Sequence, residues 1–201
     1  LVPYVTLTEA GADFDVRNID TRNGQNRSPE FLALNPKHKV PVLVIDGEPL
    51  TENVAIQLWI ARRFPAARLL PSEPGAEIKA ISLLAWCASG IHPHLTPNAR
   101  PENYCDLPGS ADSVKRVGNK LLLEDFAIAE GLLAGREWFC SHFTAVDAYF
   151  FWCFRRALSF KLDVSAFEHC VAHFERTKLR ASVQKVVAYE KQVLDAFARA
   201  A

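Results

Sequence analysis

Asn35-Pro36-Lys37-His38-Lys39-Val40-Pro41-Val42-Leu43, followed a few residues later by Leu50-Thr51-Glu52-Asn53-Val54-Ala55-Ile56, is the stretch that decides the fold of this chain. Asn35-Pro36 ends a short helix, because a proline pushes the residue before it out of the α region. Val42 to Ile45 is an apolar run with the length of a strand, and Asp46-Gly47 supplies a tight turn. Glu48-Pro49-Leu50 completes a β-hairpin, and Pro49, which lacks an N–H, makes the second strand short or places it at an edge. Thr51 then caps a helix whose apolar residues Ile56, Trp59, Ile60 and Phe64 recur at helical spacing.

Working outward toward the N-terminus, Ser28-Pro29-Glu30 starts the short helix that Asn35 ends, with serine as cap and proline pre-set for the first helical position. Phe14, Val16 and Asn18 alternate as a strand does. Leu1 to Ala10 reads as a helix with Gly11 at its C-terminal cap. In the other direction, Phe64 to Gly75 holds Pro65, Pro71 and Pro74 and reads as a linker. No strand signal follows it. Leu122, Phe126, Ala129 and Leu133 lie on one helix, and Val183, Val186, Tyr189, Val193 and Phe197 on another. Thr144-Ala145-Val146-Asp147 is a capping-box start with aspartate in the usual place of glutamate. The apolar helix after it, through Ala148, Phe151 and Trp152, is expected at the buried centre of the second half. The pattern predicts an α/β unit over 1–64, a linker over 65–75 and an all-helical unit over 76–201.

With 201 residues the chain is long enough for a substantial core. Its formal net charge of +0 leaves no basic surplus to displace counterions from a nucleic acid, so no nucleic-acid partner is expected. No apolar run approaches the roughly 20 residues that span a bilayer, so no membrane partner is expected either. Cys87, Cys105, Cys140, Cys153 and Cys170 are odd in number and form no C-x-x-C. They read as reduced thiols, which implies a reducing, cytoplasmic compartment. The chain contains no methionine, so further residues are expected before Leu1.

The order of Val40-Pro41, hairpin and Thr51-Glu52-x-x-x-Ile56 resembles the glutathione-site segment of the cytosolic glutathione S-transferases of bacterial type. Leu1-Val2-Pro3-Tyr4-Val5 with Glu9-Ala10-Gly11 resembles that family's first helix, and Phe139 with Thr144 to Asp147 resembles the capping box of its second domain. The resemblance covers essentially the whole chain. It implies a thioredoxin-like α/β N-terminal domain and an all-α C-terminal domain, glutathione as co-substrate without a metal, transfer to a small electrophile, and a homodimer. It also implies that Val40 pairs its backbone with the cysteinyl part of glutathione in the manner of an added strand, with Pro41 in the cis form. Thr51, Glu52 and Asn53 open a helix, where free N–H groups and the dipole favour an anion such as the γ-glutamyl carboxylate. By the resemblance Glu52 meets the ammonium beside that carboxylate. Asn53 stands where the family has serine or threonine, and its amide can still donate. Alternatively, Thr51 and Glu52 only cap the helix. Lys37 and Lys39 are candidates for the glycyl carboxylate or are a solvated charge pair. His92, His94, Arg100 and Tyr104 are candidates for the substrate cleft or are surface polar residues. Trp86, Trp138 and Trp152 belong to core or cleft wall. His169 and His173 are an i, i+4 pair, but a metal site needs more ligands than two.

The chemistry needs a thiolate, and a free thiol with a pKa of about 8.5 is only slightly ionised near neutrality. The family supplies the activating serine, cysteine or tyrosine just before its first helix, a position that precedes Leu1, so no residue of this chain is assigned that role. The family's first strand would precede Leu1 too. Without it, a strand over Asp13 to Ile19 has no neighbour, and its buried unpaired backbone groups would cost about 1–3 kcal/mol each. Two other readings stay open: a glutathione-binding or protein-interaction module that performs no transfer, and a glutathione-dependent peroxidase or reductase.

Overall fold

The structure, a computed structural model, describes residues 1–200 and divides into two compact units. The first contains Leu1–Leu69 together with a helix at 181–200, and the second is Leu70–Arg180.

In the first unit, helix α1 (Val2–Glu9) ends with Gly11 at φ 62°. The amide of Gly11 donates to the Thr8 carbonyl at 3.1 Å and that of Ala12 to Leu7 at 3.0 Å. This is a Schellman cap, which a residue without Cβ adopts at no steric cost. Helix α2 (Pro29–Leu34) follows, with Ser28 Oγ accepting from the Phe31 amide at 3.3 Å. Strands β1 (Val42–Ile45) and β2 (Glu48–Thr51) form an antiparallel hairpin in which Val42 faces Thr51 and Ile45 faces Glu48. Asp46 and Gly47 both have positive φ, 51° and 89°, as the right-handed twist of a two-residue hairpin turn requires. Helix α3 (Asn53–Arg63) begins one residue after β2. Thr51 is therefore the last strand residue and not the helix cap, which corrects the sequence expectation. Glu52 occupies the cap position.

Asp13 to Ile19 is not a strand: β1 and β2 are the only strands assigned among the described residues. Most of the segment is exposed. Of the alternating Phe14, Val16 and Asn18, only Phe14 is half-buried, and Val16 and Asn18 are exposed. Phe14 packs edge-on against Tyr4 at 5.2 Å.

Helix α9 (Ala181–Ala200), which the sequence placed with the helical half, packs in the first unit. Tyr189 meets the Tyr4 ring at 5.3 Å and accepts from Asn18 Nδ2 at 2.8 Å, and Ser182 Oγ donates to the Glu9 carboxylate. Val2, Val5, Ile56, Ile60, Val183 and Val186 are buried in this unit.

The second unit contains α4 (Pro74–Trp86), α5 (His92–Ala99), α6 (Ala111–Leu133), α7 (Ala145–Ser159) and α8 (Glu168–Lys178). A π-turn over Cys87–Ile91 joins α4 to α5. Gly118 of α6 allows close approach to α5: a Cβ there would lie 2.7 Å from Pro97 Cβ and 3.1 Å from the His94 carbonyl oxygen. Helix α7 is the most buried, with Phe150, Phe151, Cys153 and Phe154 at 1 % exposure or less. Its capping box is formed as the sequence anticipated. Asp147 accepts from the Thr144 amide at 2.7 Å and the Thr144 hydroxyl at 3.0 Å. It also accepts from the Phe139 amide at 3.0 Å, and it lies 3.0 Å from His173 Nε2 on α8. Glu130 of α6 caps α8 from outside, accepting from the His169 and Cys170 amides at 2.9 and 3.0 Å. No helix among the described residues is long and apolar enough to cross a membrane.

Candidate functional site

The loop between α2 and β1 is held by buried polar side chains. Asn35 is 1 % exposed. Its Nδ2 donates to the Lys39 carbonyl at 2.7 Å, and its Oδ1 accepts from the Lys37 amide at 3.1 Å. Asn26 Nδ2 donates to the His38 carbonyl at 2.7 Å. These bonds replace the missing regular structure between Asn35 and Pro41 and set the chain for a cis Val40–Pro41 bond. Val40 itself is 48 % exposed, so an apolar residue with a free backbone edge is presented to solvent.

The N-terminus of α3 lies a hairpin away in sequence and is tied to the same loop. Lys37 Nζ donates to Thr51 Oγ1 at 2.8 Å and pairs with the Glu52 carboxylate. Glu52 has φ 69° and ψ 118°. That is a sparsely populated region for a non-glycine residue and costs on the order of 1–3 kcal/mol, a kind of strain that gathers at ligand sites. In α2 and α4 the cap side chain accepts from the first helical amides. In α3 it does not, because the Glu52 carboxylate turns toward Lys37. The first amides of α3 therefore receive no acceptor from the cap side chain. Asn53 adds a further donor: its Nδ2 is enclosed and has no hydrogen-bond partner, while its Oδ1 accepts from Gln57 Nε2 at 3.2 Å. Lys39 is exposed. Val40, Pro41, Lys37, Glu52 and Asn53 thus belong to one loop-hairpin-helix assembly. Gln57 is a member of it that the sequence reading missed. It lies on the buried face of α3 beside Ile56, and a polar residue on an apolar face was the available signal.

Three of the four cleft candidates on the second unit, His92, His94 and Tyr104, have separate side-chain or backbone partners. His92 Nδ1 lies 3.1 Å from Tyr149 Oη, and its ring packs on Trp152 at 4.5 Å. His94 Nδ1 lies 2.7 Å from Asp125 Oδ2 on α6, and Asp125 Oδ1 accepts from Trp86 Nε1 at 3.2 Å. The indole lies against Gly90 of the π-turn, where a Cβ would come within 2.6 Å of it. Tyr104 donates to the Pro93 carbonyl at 3.1 Å, and Arg100 follows the end of α5. Trp138 packs against Phe143 and His173. Asp125 was not foreseen, although a carboxylate beside Phe126 and three residues after Leu122 is a signal of a buried partner.

His169 pairs with Glu130 and His173 with Asp147, so the two histidines serve different carboxylates. All five cysteines are free thiols. Burial, with Cys87 beside it, pushes the Cys153 thiol up, and burial beside Glu130 pushes Cys170 up. The Ser110 hydroxyl and the Leu107 amide draw Cys105 down.

Residues 1–62 match the family described as the glutathione S-transferase N-terminal domain. The chain is 32 % identical over 194 residues to glutathione S-transferase GstA of Escherichia coli O157:H7, covering 94 % of this chain and 93 % of that one. Among solved structures, the beta class glutathione S-transferase of Sphingomonas chungbukensis superposes with a TM-score of 0.82 at 31 % identity, covering 94 % of this chain and 92 % of that one. A sphingomonad glutathione S-transferase complexed with glutathione gives 0.83 at 28 % identity, covering 94 % and 93 %. Similarity of this extent across both units, on a thioredoxin-like first unit and a helical second, makes this chain a member of the glutathione S-transferase family.

Proposed function

We propose that this chain is a glutathione transferase that holds glutathione on the Lys37 to Asn53 assembly and presents its thiol to a small electrophile. The observation that carries the reading is the N-terminus of α3, where an uncapped set of amides sits beside the partnerless Asn53 donor and the exposed Val40. The γ-glutamyl carboxylate supplies the acceptor that these donors need. Glu52, now paired with Lys37, receives the neighbouring ammonium, and the released Lys37 meets the glycyl carboxylate together with Lys39. The Val40 backbone pairs with the cysteinyl amide as one more strand would. The thiol-activating group is assigned to no residue of this chain. His92, walled by Tyr149 and Trp152, with His94, Arg100 and Tyr104, is assigned to the electrophile. The free thiols support a cytoplasmic location.

Assembly as a homodimer is supported by the apolar face of α6. Val117, Ile128 and Leu132 are 55 %, 55 % and 40 % exposed and share one side of that helix, and a second copy of the chain would cover them. Calorimetry with glutathione tests the site. Glu52→Ala is expected to bind about tenfold more weakly than the parent, through loss of a charge-assisted bond. Equal affinity would refute the assignment.

A further inference from the structure

We propose that Asp125 is a positioning residue for His92: by tying Trp86 to His94 across the π-turn, it fixes which way α5 presents its first histidine. The inference rests on the reading of His92 as a residue that meets the electrophile. The chain from Pro74 to Ala99 is one helical run interrupted by that turn. There the His92 amide reaches back to the Cys87 carbonyl, so the run carries one residue more than a regular helix would. At about 100° per residue, positions eight apart in a regular helix point about 80° apart. One inserted residue reduces that difference to about 20°. Trp86 and His94 are eight apart and lie on either side of the turn, so the insertion brings both to the side that meets α6.

Asp125 of α6 is buried where the two converge. One carboxylate oxygen accepts from Trp86 Nε1 at 3.2 Å, and the other lies 2.7 Å from His94 Nδ1. An indole only donates and a carboxylate only accepts, so the tie has one sense. Gly90 makes room for it: the indole lies over the turn, and a Cβ at that residue would come within 2.9 Å of Nε1. Pro93 opens the helical ladder locally, since it has no N–H and its ring clashes with the carbonyl four residues back in a regular helix. An opened ladder can kink or take up an extra residue, and the tie selects the second. Loss of the extra residue would turn α5 by about 100° relative to α4 and part the two donors. His92 would turn with it, away from Tyr149 Oη at 3.1 Å and the Trp152 ring at 4.5 Å. Asp125 touches no substrate in this account. It acts through the phase of α5.

Turnover of glutathione with chlorodinitrobenzene by the full chain, together with NMR cross-peaks between the His92 and Trp152 rings, separates this role from simple support of the helices. Asp125→Leu keeps a side chain of similar size and removes both acceptors. It is expected to lower kcat/KM for the electrophile by about tenfold, the scale of one lost contact, and to abolish the cross-peaks. Calorimetry should give a glutathione Kd within about twofold of the parent. Asp125→Asn is the rescue: its oxygen still accepts from the indole, its nitrogen donates to the other tautomer of His94, and both readouts should stay near the parent. In a His92→Ala background, Asp125→Leu should change kcat/KM by less than about twofold. Parent-like kcat/KM with intact cross-peaks in Asp125→Leu overturns the inference, and so does a further loss of about tenfold in the His92→Ala background. If His92→Ala alone turns over as the parent does, the reading of His92 is wrong and the role of Asp125 in transfer falls with it. The cross-peaks need no turnover, so they show separately whether Asp125 sets the place of the ring. A thermal melt accompanies each variant. If Asp125→Leu does not fold, Trp86→Phe breaks the same tie from the α4 side and carries the comparison.

Discussion

Replacing Asp147 by alanine removes the acceptor shared by the loop before α7, the first turn of α7 and α8. Four donors lose their partner: the Phe139 and Thr144 amides, the Thr144 hydroxyl and His173 Nε2. The hydroxyl also lies 3.8 Å from the Cys140 sulfur, so it retains a weak partner. Three donors are then stranded, around a side chain that is 0 % exposed. At about 1–3 kcal/mol for each buried unsatisfied group, the sum is about 3–9 kcal/mol. The lower half of that range agrees with the 3–5 kcal/mol or so for breaking a buried charged pair from one side. Since a folded protein is stable by roughly 5–15 kcal/mol, Asp147→Ala is expected to cost a large share of the total. At about 2–4 °C per kcal/mol for a chain of this size, the melting midpoint should fall by more than about 6 °C. Circular dichroism melts report the midpoint, and hydrogen exchange at the Phe139 and Thr144 amides localises the effect. His173 packs against the rings of Trp138, Phe139 and Phe150 at 5.4–5.6 Å. Adding His173→Phe to Asp147→Ala should therefore recover part of the loss, because an apolar ring suits those neighbours better than a stranded imidazole. A loss below about 1 kcal/mol for Asp147→Ala, with amide protection unchanged, would refute the reasoning that buried donors set the cost.

Two further perturbations follow from the same unit. Burial works to raise the Glu130 pKa, but the hydrogen bonds from His169 and Cys170 outweigh it and hold the carboxyl below its ordinary value. The cap on α8 therefore contributes fully above the unfolded value of about 4.3 and is lost as pH falls through the lower folded value. Urea unfolding should show Glu130→Gln less stable than the parent by about 1 kcal/mol near neutrality, with the difference closing in acid; a constant difference would count against it. Gly118→Ala should destabilise by about 1–3 kcal/mol despite the better helix propensity of alanine, because the added methyl meets the rigid Pro97 ring at 2.7 Å. A raised melting temperature would show that α5 and α6 move apart freely.

Features written in short-range chemistry were legible in the sequence. Asp46-Gly47 announced its turn, Ser28-Pro29 its helix start and Thr144 to Asp147 its capping box, because each depends only on residues within a few positions. The strand over Asp13 to Ile19 failed for the opposite reason. Alternation is a pattern within one segment, whereas a strand exists only with a paired neighbour. The helix over 181–200 was read correctly as a helix, but an apolar stripe does not say which unit it covers. At the candidate site, the residue types at 37–41 and 51–53 could be singled out by resemblance and by helix-terminus chemistry. The Lys37–Glu52 pair, the turn of the Glu52 carboxylate away from α3 and the bond between Gln57 and Asn53 join residues whose side-chain directions no local pattern encodes. The His94–Asp125–Trp86 grouping likewise draws on three separate helical segments.

The first unit is discontinuous, since its Tyr4 and Val2 layer is closed by a helix that follows the whole of Leu70–Arg180. During synthesis, residues 1–69 leave the ribosome before the helical unit and wait through its translation for their last packing partner. The helical unit, continuous in sequence, has every one of its elements available before α9 is translated. Birth order and completion order are thus reversed along this polypeptide, and the segment carrying the candidate site is the last to acquire its finished core.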